Sequence, residues 1–330
     1  DSPMEGVLMV PDGVVRGALL IAPGLHYLGP YDARMDRLAA ILASAGILTL
    51  SPAIPDYLSL VLRPGAPQDF HRAFELLEGH PALPSGSRPG VMSISFGSWL
   101  ALSLASSPAY ADRLSGVMIY GGFGDWRSTM RFSLEGAQDQ PQSRGHDPLN
   151  RPVVYMNLIH SFPGAPADPE PLLAAWRRYV EGTWGQEAMK RDGRHEEVAQ
   201  RIAPDLPEQL RPLFLEGCGV GAVSSEGILA ALEASGPREW LDPRPGLKHI
   251  RCPVTLVHGV DDDVIPHEQM QHLADALPSN IPVELFLTGL LGHSGRTGLS
   301  ALATTLPAAV REVRNLWGML GALTRTAGLS

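Results

Sequence analysis

Two kinds of apolar pattern alternate along the first 121 residues. Short runs in which nearly every residue is apolar or small give way to longer stretches with apolar residues every three or four positions. The first kind suits a strand buried on both faces, the second an amphipathic helix. Val7–Val10 and Val14–Ala22 flank the turn signal Pro11-Asp12-Gly13 and predict a hairpin leading into a buried strand. Tyr31–Ala45 predicts a helix with Leu38, Ile41 and Leu42 on one face and Gly46 as its stop. Ile47–Ser51 predicts a strand, and Gln68–Glu78 a helix with Phe70, Phe74 and Leu77 at helical spacing. Gly90–Ser95 predicts a strand, Phe96–Ser106 a helix and Gly116–Gly121 another strand. Such alternation argues an α/β fold with a mostly parallel sheet and helices on both faces.

After Gly121 the alternation stops. Helical patterns at Pro171–Glu181, Gln186–Ile202, Leu206–Glu216 and Ser225–Ala234 are punctuated by proline and glycine. Val153–Leu158 reads either as a strand or as the start of a helix. Alternation returns with a strand at Pro253–His258, a helix at His267–Leu277, a strand at Val283–Thr288 and a helix at Thr304–Leu320. The expected organisation is a core in two parts, 1–124 and 248–330, interrupted by a helical insertion over 125–247. No internal repeat or low-complexity tract is evident.

Charge narrows the partners. Twenty-six basic and 35 acidic residues leave a formal charge of −9, and no basic stripe interleaved with aromatics offsets it. Arg177-Arg178 and Lys190-Arg191 read as solvated helix faces, so nucleic acid is not an expected partner. Two cysteines, Cys218 and Cys252, are too few for a disulfide framework or a zinc site, and Cys252 reads as a small core residue. No run of about eighteen apolar residues predicts a membrane span. No signal-like apolar region follows Asp1, and the expected compartment is the cytoplasm, although removal of a leader would leave the same sequence. The sequence sets no oligomeric state.

In a doubly wound sheet, ligands bind beyond the carboxyl ends of the strands. Four strand ends carry chemistry. Pro23-Gly24 breaks the first strand and frees backbone N–H groups. Ser95 lies on the tight turn from strand to helix, with Ser93 two before it and Gly97 two after, small flanks of the kind a strained turn requires. The run HGVDDDVIP follows the strand that ends at His258, and GLLGHSG, which carries His293, follows Val283–Thr288.

With these residues in order, the chain resembles the α/β-hydrolase superfamily over nearly its whole length. The order Ser, acid, His is the one that family uses. Ser93-Ile94-Ser95-Phe96-Gly97 is similar to its nucleophile elbow G-x-S-x-G, with Ser in place of the first Gly. HGVDDDVIP resembles its acid loop, GHSG its histidine loop, and the insertion its cap, placed after the family's sixth strand, here Gly116–Gly121. The resemblance implies Ser95 as nucleophile, Asp262 as acid and His293 as base. It implies backbone N–H groups of Leu25 and Phe96 as the oxyanion hole.

Each assignment has a plainer competitor. Ser95 alone fits a helix N-cap, and the three aspartates fit a solvated turn. Asp261, Asp263 and Asp125 compete with Asp262 for the acid. His26 and Tyr27, which follow Leu25, are candidate substrate contacts or packing residues. Trp126, Trp176, Trp184 and Trp240 read better as core packing of the insertion than as a pocket lining. The two histidines of HEQMQH (His267–His272) are five apart and share no helix face, and His195 has no second histidine nearby, so no metal site is expected. GCGVGA (Gly217–Ala222) lacks dinucleotide-loop spacing, and no phosphate-binding G-x-x-x-x-G-K-[ST] occurs.

The expectation is a capped serine hydrolase that cleaves a carboxylic ester or related acyl bond of a small or medium substrate through an acyl-enzyme, without a cofactor. Acyl transfer and C–C bond hydrolysis on the same triad remain alternatives, as does a non-catalytic small-molecule binding protein.

Overall fold

The computed structural model describes residues 3–136, 146–191, 193–221, 224–289 and 306–329. Among them, seven strands form one sheet: β1 (Gly6–Met9), β2 (Gly17–Ala22), β3 (Ile47–Pro52), β4 (Gly90–Ile94), β5 (Val117–Tyr120), β6 (Val254–Gly259) and β7 (Val283–Thr288). Their order is β1-β3-β2-β4-β5-β6-β7. Only the β1–β3 pair is antiparallel. The other five pairs are parallel.

Position in the sheet follows from the apolar pattern. Every residue of β2 and β6 is buried, as a strand covered on both faces demands. The edge strands β1 and β7 alternate between exposed and half-buried positions over most of their length. Leu19, Ile21 and Met92 pack with Met35 and Leu42 of the helix Ala33–Ser44 and with Leu323 of the helix Leu306–Thr326, which places both helices on one face. The helices Ala66–Glu78 and Gly97–Ser106 pack on the other.

The expected hairpin does not form. β1 pairs with β3, and β2 lies between β3 and β4. A fully apolar β2 is worth most in the centre, whereas half-exposed β1 suits an edge, and this outweighs the local turn signal at Pro11-Asp12-Gly13. Of Leu38, Ile41 and Leu42, expected on one face of their helix, Leu42 is buried but Ile41 is 60% exposed; Met35 and Ala39 join Leu42 at the core.

The contacts divide the chain into two units. One comprises Asp1–Leu58, Leu62–Asp125 and Trp240–Ser330, and holds the sheet. The other comprises Ser59–Val61 and Trp126–Glu239 and is the helical insertion between β5 and β6. Arg151–Leu158, left open by the sequence, is a helix there. The single pattern Gln186–Ile202 becomes two helices, Glu187–Arg191 and Arg194–Ile202, the second preceded by Gly193 at φ 64°. Trp176 is fully buried and donates its indole N–H to Phe214 O at 3.1 Å. Buried Arg151 donates to Glu216 O (3.0 Å), Ser224 O (2.9 Å) and the Tyr155 hydroxyl (3.0 Å), and that hydroxyl donates to Glu216 Oε1 (2.8 Å). Those bonds meet the cost of burying the cation.

Candidate active site

Ser95 stands at the carboxyl end of β4, on the turn into the helix Gly97–Ser106. Its φ is +54°, a left-handed conformation that costs a non-glycine residue of order 1–3 kcal/mol. Neighbouring groups hold it there. The Ser95 N–H donates to Tyr120 O at 2.7 Å, and Ser95 O accepts from Ser98 N at 3.0 Å. The fully buried Tyr57 hydroxyl donates to Phe96 O at 2.9 Å, and burial raises its pKa well above the ordinary tyrosine value, so it stays a donor. The N-cap of this helix is Phe96 rather than Ser95, and strained, over-determined backbone of this kind clusters at functional sites.

Gly97 is fixed by close approach. A Cβ there would lie 2.6 Å from both Ala22 O and Pro23 O. Gly97→Ala is therefore expected to cost about 1–3 kcal/mol. By pushing the Pro23–Leu25 loop aside it should also slow turnover about 100-fold. Denaturant melts and steady-state rates measure the two effects.

Ser93, where the elbow pattern has glycine, is fully buried, and its Oγ finds no hydrogen-bond partner among the described residues. An unsatisfied buried hydroxyl is a net cost, so Ser93→Ala should raise the unfolding free energy by about 1 kcal/mol in a denaturant melt. A fall would show that the hydroxyl is satisfied.

β2 neighbours β4, and this brings the loop after β2 to Ser95. A Cβ on Gly24 would lie 3.5 Å from Ser95 Cβ. The next residue, Leu25, is buried, as is Phe96. Neither backbone N–H donates to an acceptor among the described residues. His26 accepts from Leu28 N at its Nδ1 (3.1 Å), which leaves the ring proton on Nε2, 3.8 Å from Asp32 Oδ2. Burial lowers the His26 pKa, against an upward pull from Asp32. Its ring stacks on Tyr27 with centroids 4.6 Å apart.

Asp262 follows β6 and is 3% exposed. Its Oδ1 accepts from Val264 N and Ile265 N, each at 2.9 Å. Its Oδ2 lies 3.5 Å from His258 Nε2, which itself contacts Ile265 O at 2.9 Å. A buried carboxylate held by two amides is fixed in direction. The competitors differ. Asp261 is exposed and Asp263 half-buried. Asp125 is committed elsewhere: its N–H donates to Gln269 Oε1 (2.7 Å), and its Oδ2 lies 3.6 Å from the Arg244 guanidinium. His293 lies outside the described residues. Sequence reading passed over His258; its spacing of four residues before Asp262 was the available signal.

The four tryptophans pack within their own units. Trp126 and Trp184 donate to Pro237 O (3.1 Å) and Leu149 O (2.9 Å) in the insertion, and Trp240 packs edge-on against Trp99 in the sheet unit, centroids 5.4 Å apart. Among the described residues, no group of three or more His, Cys, Asp or Glu side chains could hold a metal ion. No helix among them is long and apolar enough to cross a membrane.

No protein-family model matches the chain, and no curated protein sequence matches it. Solved structures do. The acylaminoacyl peptidase of Pyrococcus horikoshii aligns with a TM-score of 0.52 at 14% identity, over 100% of this chain and 41% of that one. A puromycin-hydrolyzing peptidase of Mycobacterium tuberculosis aligns with a TM-score of 0.52 at 17% identity, over 100% of this chain and 38% of that one. The chain thus spans about two fifths of the length of these proteins. At such identities the likeness is one of fold: a mostly parallel sheet flanked by helices in the topology of α/β hydrolases, with a large helical insertion.

Proposed function

Proceeding from that fold, we propose that this chain is a serine hydrolase that cleaves a carboxylic ester or related acyl bond through an acyl-enzyme, with Ser95 as nucleophile, Asp262 as acid and His293 as base. The observation that carries the reading is Ser95 in left-handed strain at the end of β4, with Gly24 packed beside it. A serine hydroxyl is a weak nucleophile until a base takes its proton. His293 takes it as Oγ attacks the acyl carbon. Asp262 fixes the tautomer of that imidazole and stabilises the imidazolium. The negative charge on the former carbonyl oxygen is received by the N–H groups of Leu25 and Phe96; each such donor is typically worth roughly 3–4 kcal/mol of barrier. The imidazolium then protonates the departing alcohol, and water, activated by the same base, frees the acid and restores Ser95. His26 and Tyr27, next to Leu25, contact the acyl or leaving group. The two peptidases of like fold support extending the substrate class to amides.

Rapid mixing with p-nitrophenyl esters tests the reading. The expected trace has a burst of p-nitrophenolate approaching one equivalent per chain, followed by slower turnover. No p-nitrophenolate release by the wild type, or release unchanged in Ser95→Ala, would contradict it. Transfer to an added alcohol in preference to water would move the assignment to acyl transfer on the same residues.

A further inference from the structure

His258 is the penultimate residue of β6 and is 1% exposed, in a strand otherwise made of Val254, Thr255, Leu256, Val257 and Gly259. A buried imidazole is costly unless its polar atoms are matched. Its Nε2 lies 2.9 Å from Ile265 O. A carbonyl oxygen only accepts, so this nitrogen carries the proton. The same nitrogen lies 3.5 Å from Asp262 Oδ2. Ile265 in turn gives its own N–H to Asp262 Oδ1 at 2.9 Å. Two hydrogen bonds and a close contact therefore link the three residues: imidazole N–H to the Ile265 carbonyl, Ile265 amide to the carboxylate, and carboxylate 3.5 Å from the same imidazole nitrogen. A histidine that merely filled core space would need one acceptor anywhere. This one is bonded to the residue that holds the carboxylate. If Asp262 turned away, it would lose two amide bonds and the facing N–H dipole together.

We infer that His258 is a positioning residue that closes the acid turn and fixes the direction of the Asp262 carboxylate. The inference rests on the proposed acid role of Asp262. It assigns no proton transfer to His258, whose Nε2–H is already committed.

Two substitutions separate this role from simple packing. His258→Gln sets an amide N–H close to where the imidazole N–H lies, while His258→Leu fills similar space without a donor. With a p-nitrophenyl ester, His258→Leu is expected to lose about 100-fold in kcat, as a misplaced catalytic group does, with KM nearly unchanged. His258→Gln is expected to recover most of that loss. Equal losses in the two variants, or a loss confined to KM, would overturn the inference. Should His258→Leu fail to fold, His258→Gln decides alone: kcat within a few-fold of the wild type fits a positioning donor, and a folded variant as slow as expected for Leu does not. A wild-type chain that neither hydrolyses esters nor labels at Ser95 would remove the acid role of Asp262, and this inference with it. That outcome is distinct from an active enzyme indifferent to position 258.

Discussion

Ser95→Ala should abolish turnover, by about a million-fold in kcat where a serine and its base act as one unit, and leave the fold intact. The alanine has no oxygen to form an ester with the acyl group, and neither Leu25 N–H nor Phe96 N–H supplies one. The backbone conformation at this position gives a second test. Position 95 sits at φ +54°, where glycine carries no Cβ penalty. Ser95→Gly should therefore be equally inactive yet more stable than the wild type by about 1 kcal/mol in denaturant melts. Gain of stability with loss of activity at one position is what strain kept for function predicts. A helix-capping serine would show neither effect, since its replacement costs stability and spares activity.

Asp262→Asn carries the second largest effect, a loss of about ten-thousand-fold in kcat, as when an orienting carboxylate is replaced by its amide. The asparagine oxygen can still accept from Val264 N and Ile265 N, so the turn keeps its two amide bonds. Its NH2 must then occupy the place of Oδ2, facing His258 Nε2–H at about the same separation. Donor opposes donor there, and the charge that stabilises the imidazolium is gone. Asp125→Asn and Asp263→Asn serve as the comparison and should stay within a few-fold of wild type. A collapse in Asp125→Asn with activity kept in Asp262→Asn would move the acid to the loop after β5, despite the pairing of Asp125 with Arg244.

Much of this was legible in the sequence because burial on both faces leaves a strong mark. β2, β4, β5 and β6 read as near-continuous apolar runs, and their alternation with helices gave the parallel sheet. Partners were harder. Pro11-Asp12-Gly13 is a good local turn signal, but the pairing of β1 is settled by which strand gains most from the centre of the sheet. Ile41 shows the same limit: an apolar residue on a helix does not reveal which side of the stripe it takes when Met35, Ala39 and Leu42 already cover the core. Within the candidate site, the sequence pointed to Ser95 and Asp262 because ligands gather at strand ends. The φ of Ser95, the amides on Asp262 and the Asp125–Arg244 pair depend on backbone geometry and on residues distant in the chain. His258 was missed because one histidine in an apolar strand reads as core until the turn that returns to it is seen.

The central claim is that Ser95 is an activated nucleophile. Treating the purified protein with a fluorophosphonate probe, and locating the adduct by peptide mass spectrometry, tests it most directly. The expected result is an adduct on Ser95 that is absent in Ser95→Ala and forms much more slowly in His293→Ala. A folded protein that takes no adduct, or takes it on another residue, would contradict it.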